Sequence, residues 1–284
     1  MASVVLLGTG GPRLDPTRNS TALLVRTGAE EVLVDAGRGC VRGLAAAGAE
    51  LAALARVLVT HHHFDHIGDL YDVMLNSWLE GRKHALTIEG PPDTRRIVDA
   101  LLTQVYDKDH DWRGLGEPAH GGWAPVVARD VASGEWIEGA GWRAIAREVS
   151  HGHGLGTLPE ALLRRWTCYG YRFEIGGRVL AFSGDTVDCA GLRALAQDAD
   201  VLVQCCWAAS AELTSEHLQR LAQHTLACGD TVGKIAQACN VGTLVLTHHR
   251  PRKGAAMLEE LVREVSADFR GRLIVGVDGL EVEI

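Results

Sequence analysis

Apolar residues along the chain recur with two distinct spacings. Short β-branched runs, Val4 to Leu7, Ala22 to Val25, Val32 to Val34, Val57 to Val59, Val179 to Phe182, Val201 to Val203, Thr243 to Leu246 and Leu273 to Val275, predict strands. Between several of them lie Ala/Leu-rich stretches with helical spacing, residues 40 to 54, 67 to 80, 94 to 105, 191 to 198, 216 to 238 and 254 to 266. Strands that cluster early and then alternate with helices indicate a layered α/β architecture. Residues 107 to 125 follow neither period and are expected to form a long loop between elements. No Pro/Ser/Gly linker divides the chain, so one domain over residues 1 to 284 is expected. An internal echo runs through it: Val57-Leu58-Val59-Thr60-His61-His62-His63 and Leu244-Val245-Leu246-Thr247-His248-His249-Arg250 are both apolar strands ending in Thr-His-His.

With 46% hydrophobic and 23% charged residues in 284, the composition is that of an ordinary globular protein with one substantial core. No apolar run approaches the roughly 20 residues of a membrane helix. The opening MASVVLLGTGG lacks the basic segment of a secretory signal, so the expectation is a soluble, cytoplasmic protein without a membrane partner. The net charge of -8 gives no sign of a broad basic face, which disfavours nucleic acid while leaving room for a local patch. The seven cysteines are odd in number and lack CxxC pairing, so buried free thiols are expected in place of a disulfide framework.

Chemistry concentrates in Thr60-His61-His62-His63-Phe64-Asp65-His66, directly after the strand at 57 to 59 and before a helix. Open α/β sheets place reactive groups at that junction. His61 and His63, two residues apart in an extended segment, point to one side, as two ligands of one metal must. Asp65 and His66, at the turn into the helix, are offset and suit a second metal. His62 and Phe64 are expected to point away and serve packing or support of the ligands.

The sequence resembles the metallo-β-lactamase superfamily, whose HxHxDH signature is matched by His61, His63, Asp65 and His66. The likeness extends from Leu7-Gly8-Thr9-Gly10-Gly11 through Leu33-Val34-Asp35-Ala36-Gly37 to Val149-Ser150-His151, Ser183-Gly184-Asp185-Thr186 and Leu246-Thr247-His248. It implies an αββα sandwich of two mixed sheets flanked by helices, with the metal site at one edge. It also implies that His61, His63 and His151 hold one metal, Asp65, His66 and His248 the other, and that Asp185 bridges them. Two ions about 3.5 to 4 Å apart lower the pKa of a shared water and polarise the bond under attack. The ligand types suit two Zn²⁺, with Mn²⁺ or Fe²⁺ also accepted. His153 competes with His151 for the third motif and His249 with His248 for the last; the strand-ending Val149 and the internal echo favour His151 and His248.

Within the superfamily, GTGGP followed by Arg18-Asn19-Ser20, and His224-Thr225 ahead of Thr247-His248-His249-Arg250-Pro251-Arg252, resemble the branch of ribonuclease Z and the zinc-dependent arylsulfatases. That resemblance gives His224 the task of stabilising charge on the leaving group and Asp65 that of holding metal and accepting a proton. Arg250 and Arg252 become candidates for orienting a phosphate or sulfate. Only 33 residues separate His151 from Asp185, with no room for an RNA-gripping arm, and Asn76 to Arg82 has an arylsulfatase-like context. The expected substrate is therefore a small-molecule sulfate or phosphate ester attacked by a metal-bound hydroxide, and the family resemblance makes a homodimer the default expectation for the protein. An RNA-processing nuclease, or hydrolysis of a lactone, amide or aryl halide, is the alternative. Tyr106, His110, Trp112, His120 and Trp123 are candidates for a substrate clamp or for loop packing. Gln204-Cys205-Cys206-Trp207 departs from the family's His-Glu, which leaves the support expected there unassigned.

Overall fold

The structure is a computed structural model and describes residues 2 to 117, 121 to 251 and 256 to 284. In chain order the strands are β1 (Ser3–Gly8), β2 (Ala22–Arg26), β3 (Glu31–Val34), β4 (Arg56–Leu58), β5 (Leu86–Gly90), β6 (Val126–Asp130), β7 (Trp136–Gly139), β8 (Trp142–Glu148), β9 (Tyr169–Ile175), β10 (Arg178–Phe182), β11 (Val201–Cys205), β12 (Thr243–Thr247), β13 (Arg272–Val275) and β14 (Glu281–Glu283). The α-helices are α1 (Cys40–Ala46), α2 (Phe64–Ile67), α3 (Leu70–Leu79), α4 (Thr94–Ala100), α5 (Asp107–Gly116), α6 (Glu160–Leu163), α7 (Ala190–Ala196), α8 (Glu216–His224), α9 (Gly229–Ala238) and α10 (Ala256–Asp268). Among the described residues no helix is long and apolar enough to cross a membrane.

Two compact units divide these elements, one built from residues 1–8, 19–132 and 278–283, the other from residues 9–18, 133–277 and 284. The first unit holds a seven-stranded sheet in the order β14-β1-β2-β3-β4-β5-β6, antiparallel from β14 to β3 and parallel from β3 to β6. Val5 and Leu7 of β1, Leu24 of β2, Leu33 of β3 and Val57 of β4 face the helices and pack with Leu44 of α1, Leu70, Val73 and Met74 of α3 and Val98 of α4. Apolar side chains at spacings of three and four on α3 and of two on the strands meet here, which is why the two periods are legible in the sequence.

The second unit repeats the plan with the sheet β13-β12-β11-β10-β9-β8-β7, parallel from β13 to β10 and antiparallel from β10 to β7. Leu202 of β11 and Leu244 and Leu246 of β12 pack with Leu192 and Leu195 of α7, Val232 and Ile235 of α9 and Leu261 and Val265 of α10. β4, β10 and β12, each with a parallel neighbour, deliver their C-terminal ends to loops that carry candidate ligands, and the antiparallel β8 leads into the loop of His151.

Three expectations about elements need correction. The stretch 107 to 125 is not a loop throughout, because α5 occupies its first half. Asp107 and Asp109 sit favourably in the first turn, and Asp109 Oδ1 accepts from Arg113 Nε at 2.9 Å one turn later. The helix expected over 216 to 238 is two. Between them Ala227 donates its N–H to Thr186 O at 2.9 Å and accepts at its carbonyl from Trp207 N–H at 3.0 Å, drawing the backbone out of helical geometry. The helix expected over 40 to 54 stops at Ala46, with Gly48 at φ 66 turning the chain into a 3₁₀ turn, Leu51–Ala53.

Candidate functional site

In the first unit, the loop after β4 carries Thr60 to His66. The chain is still extended at His63 (φ -66, ψ 148) and becomes helical at Phe64, so His61 and His63 share a side, His61 Nε2 lying 3.0 Å from His63 Nδ1. Asp65 and His66 follow on α2, with His66 Nε2 3.7 Å from Asp65 Oδ2. The His61 and His66 rings are 4.1 Å apart between centroids. His61, Asp65 and His66 are buried, whereas His63 is exposed.

Asp35, at the end of β3, holds this loop. Its Oδ1 accepts the N–H of Thr60 at 2.8 Å, and its Oδ2 accepts the Thr60 hydroxyl at 2.8 Å and His66 Nδ1 at 2.7 Å. Burial pushes the Asp35 carboxyl up from its usual range, and the facing His66 opposes that. A proton on His66 Nδ1, held by Asp35, leaves the lone pair on Nε2, the arrangement of a carboxylate–histidine–metal relay. Asp35 also sits at φ 59, uncommon for a residue other than glycine and found where surrounding contacts over-determine the backbone. Its part in the site was not anticipated; the available signal was a buried carboxylate at a strand end, in a segment noted only for family likeness.

The second unit carries a matching set. His151, after β8, has Nδ1 2.7 Å from Thr225 O and Nε2 3.9 Å from Asp185 Oδ2. His248, after β12, places Nε2 3.0 Å from the same Asp185 oxygen. It adopts φ 59, and a Cβ on Gly11 would come within 2.7 Å of its Cε1, so the ring rests directly on a glycine. Asp185 follows β10 in a turn tied to the His151 loop, since Thr186 Oγ1 lies 3.1 Å from both Ser150 N and Ser150 O. Beneath that turn the Thr186 N–H reaches Cys205 Sγ at 3.4 Å. The position where the family pattern departs thus supports the Asp185 turn with a thiol, and burial beside Asp185 raises that thiol's pKa. His151, Asp185 and His248 are all buried.

The donor set suits divalent metal in its chemistry. Two ligand atoms of one tetrahedral zinc, each about 2.0 to 2.1 Å from it, stand roughly 3.3 Å apart. The His61–His63 and His248–Asp185 separations of 3.0 Å fall close to that. Imidazoles with one nitrogen fixed by a carboxylate or carbonyl, and the other directed toward further donors, are prepared for metal rather than for packing.

The alternatives left open at two positions differ in their surroundings. His153 has both nitrogens engaged, Nδ1 accepting the His151 N–H at 3.2 Å and Nε2 2.8 Å from Trp166 O. His249 contributes backbone hydrogen bonds, donating to Thr9 O at 2.7 Å and accepting from Gly11 N at 3.3 Å. His62 supports the loop as expected, with Nε2 2.9 Å from Thr94 Oγ1. Phe64 does not pack as expected: its side chain is 64% exposed, because α2 begins at this residue and turns it outward.

His224 ends α8, where its carbonyl accepts the N–H of Gly152 at 2.7 Å and its ring lies against Gly154, on the loop that carries His151. Arg250 packs 5.2 Å over the Trp207 ring and 3.8 Å from Glu212. Arg252 and His120 lie outside the described residues. Of the aromatic candidates, Tyr106 stacks on Tyr71 at 3.9 Å, and Trp123 contacts Trp78 at 4.7 Å and His110 at 4.8 Å, which is packing within the first unit. Trp112 stays exposed.

Comparison with known proteins gives a match to a β-lactamase superfamily domain over residues 30–249. Ribonuclease Z of Mycobacterium bovis (strain BCG / Pasteur 1173P2) is 32% identical over 290 residues, covering 100% of this chain and 99% of that protein. Among solved structures, the metallo-β-lactamase fold protein YhfI from Bacillus subtilis is similar with a TM-score of 0.75 and 17% identity, over 99% of this chain and 98% of that one. The short form of human tRNase Z is similar with a TM-score of 0.71 and 18% identity, over 99% of both chains. These likenesses show the expected fold, two mixed seven-stranded sheets flanked by helices.

Proposed function

This chain belongs to the metallo-β-lactamase superfamily and is a metal-dependent hydrolase, and on that premise we propose that it is a two-metal phosphodiesterase of the ribonuclease Z kind whose substrate is RNA. The observation that carries the reading is the end-to-end match, at 32% identity, to a relative of that name. Three features of the sequence count against RNA: the short interval between His151 and Asp185, the net charge of -8 and the context of Asn76 to Arg82. A relative named Ribonuclease Z that aligns over 99% of its length leaves little room for a long additional arm either, so that interval does not separate the two readings.

By the family pattern, the proposed ligands are His61, His63 and His151 for one ion, Asp65, His66 and His248 for the other, and Asp185 for both; within the second unit Asp185 Oδ2 lies 3.0 Å from His248 Nε2 and 3.9 Å from His151 Nε2. Zn²⁺ fits this donor set, and Mn²⁺ or Fe²⁺ are the other candidates. When bound, such ions supply Lewis acidity and make a water nucleophilic at neutral pH. The chain's own residues do the rest. Asp35 and the Thr225 carbonyl hold His66 and His151 in the required tautomers. Asp65 accepts the proton of the attacking water as the water oxygen bonds to phosphorus. His224 donates a hydrogen bond to the oxygen that leaves with the P–O bonding electrons.

A second reading, hydrolysis of a small aryl sulfate or phosphate, is favoured by an apolar pocket in the second unit. This cavity of ≈ 170 Å³ beside His248 is walled by Trp207, Leu218, Leu221 and Leu226. An apolar cavity of about 150 Å³ is enough to hold a benzene ring. The two readings separate on a panel of 3′-extended precursor tRNA, bis(4-nitrophenyl) phosphate and 4-nitrophenyl sulfate. Cleavage of the precursor, with the sulfate ester inert, is the expected result; turnover of the sulfate with RNA left intact would replace the first reading by the second.

A further inference from the structure

We propose that Phe64 and Arg38 form a nucleotide subsite on the first unit, with the phenyl ring as the platform for a base and the guanidinium as the partner of its phosphate. The inference rests on the reading of the substrate as RNA and adds to it the residues that grip one nucleotide.

An apolar side chain inside the ligand motif is expected to be buried, yet Phe64, with His63 before it and Asp65 after it, is 64% exposed. It is not a loose side chain. A Cβ on Gly68 would lie 3.1 Å from Phe64 Cζ and 3.3 Å from Cε1, so the ring rests along α2 on the bare backbone of Gly68. The Arg38 guanidinium carbon stands 6.0 Å from the ring centroid, within reach of a cation–π contact. Arg38 is itself anchored, Nη2 donating to Ser20 Oγ at 3.3 Å. The result is an aromatic surface fixed from below, open to solvent, flanked by a positive charge and adjacent in sequence to two proposed metal ligands.

That combination fits a nucleotide. A base stacks on any exposed aromatic face regardless of its identity, and a guanidinium matches the fork of phosphate oxygens. One stacked base and one phosphate contact need no broad basic face, which agrees with a chain of net charge -8. A purely structural Phe would gain more from burial than from being held open, because full burial of its side chain is favourable by roughly 1.5 to 3 kcal/mol.

The test is calorimetric titration of adenosine 5′-monophosphate and ribose 5-phosphate into zinc-loaded protein. Wild type is expected to bind the nucleotide about tenfold more tightly than the base-free phosphate, within the range known for base–aromatic stacking. Phe64→Ala should abolish that preference, Phe64→Trp should restore it, and Arg38→Gln should weaken both ligands alike. Equal affinity of wild type for the two ligands, absence of binding to either, or a preference that survives in Phe64→Ala would overturn the proposal. So would a change in sedimentation of Phe64→Ala without a change in nucleotide preference, which would assign the ring to a subunit contact. Precursor-tRNA cleavage by wild type, measured alongside, separates the two claims. Cleavage without a base preference sinks the subsite alone, and a Phe64-dependent base preference without RNA cleavage sinks the ribonuclease reading alone.

Discussion

Substituting Asp35 by Asn tests whether its hydrogen bonds prepare His66 for metal. The native carboxylate accepts three bonds, from Thr60 N, Thr60 Oγ1 and His66 Nδ1, at 2.8, 2.8 and 2.7 Å. An amide of the same shape accepts on one side only. If its oxygen stays with the Thr60 N–H, its NH₂ faces His66 Nδ1 and forces the proton to Nε2, the atom proposed to ligate. If the amide flips, its NH₂ confronts the Thr60 N–H, and two buried donors meet. Either orientation removes the anion that makes the imidazole more basic. Loss of such an outer partner lowers metal affinity by about 10- to 100-fold, or roughly 1.4 to 2.8 kcal/mol. Competition with a chromophoric zinc chelator measures this directly, with circular dichroism to verify folding. A folded Asp35→Asn protein whose weaker zinc site keeps its affinity within threefold of wild type would show that Asp35 does not prepare His66 for metal.

Other outcomes follow from the same geometry. Gly11→Ala places a methyl 2.7 Å from His248 Cε1, so the ring must shift by roughly 1 Å to regain ordinary contact, and kcat should fall about 100-fold; a steady-state assay giving a loss under threefold contradicts the placement. Asp69→Ala removes the carboxylate that accepts Gly39 N–H at 2.7 Å ahead of α1 and should cost about 1 to 2 kcal/mol, lowering Tm by several degrees in calorimetry; an unchanged Tm argues against that cap. Burial raises the thiol pKa of Cys40, Cys205 and Cys239 and pushes Cys228 up to about 12, so these stay protonated at pH 8. Ellman's reagent should then find at most Cys189, the one cysteine not buried, in the native state; rapid reaction of three or more would show the cores to be more open.

The ligand motifs were legible in the sequence because metal chemistry demands particular residues at fixed spacings, and the strand before each motif announces itself through β-branched runs. Strands such as β6 and β8 were harder to see. Val126-Val127-Ala128 is partly exposed and runs straight into Arg129-Asp130, and Ala144-Ile145-Ala146 is enclosed by Arg143 and Arg147, so charge masks the short apolar stretch in each strand. The division between α8 and α9 is hidden because both halves have helical spacing, and backbone bonds to distant residues, such as those Ala227 makes with Thr186 and Trp207, interrupt them. Phe64 was read as packing because composition alone cannot tell that α2 starts at that residue. Asp35 and Cys205 escaped because their importance lies in what they touch, Thr60, His66 and Thr186, which no spacing encodes.

Cleavage of a 3′-extended precursor tRNA, with metal content measured on the same sample, decides whether this hydrolase uses two metals on an RNA phosphodiester. Two divalent ions per chain are expected, with endonucleolytic cleavage that is lost on chelation and in Asp185→Asn. A protein that carries both ions yet leaves the precursor intact, or one that cleaves it undiminished after chelation and in Asp185→Asn, would contradict that expectation.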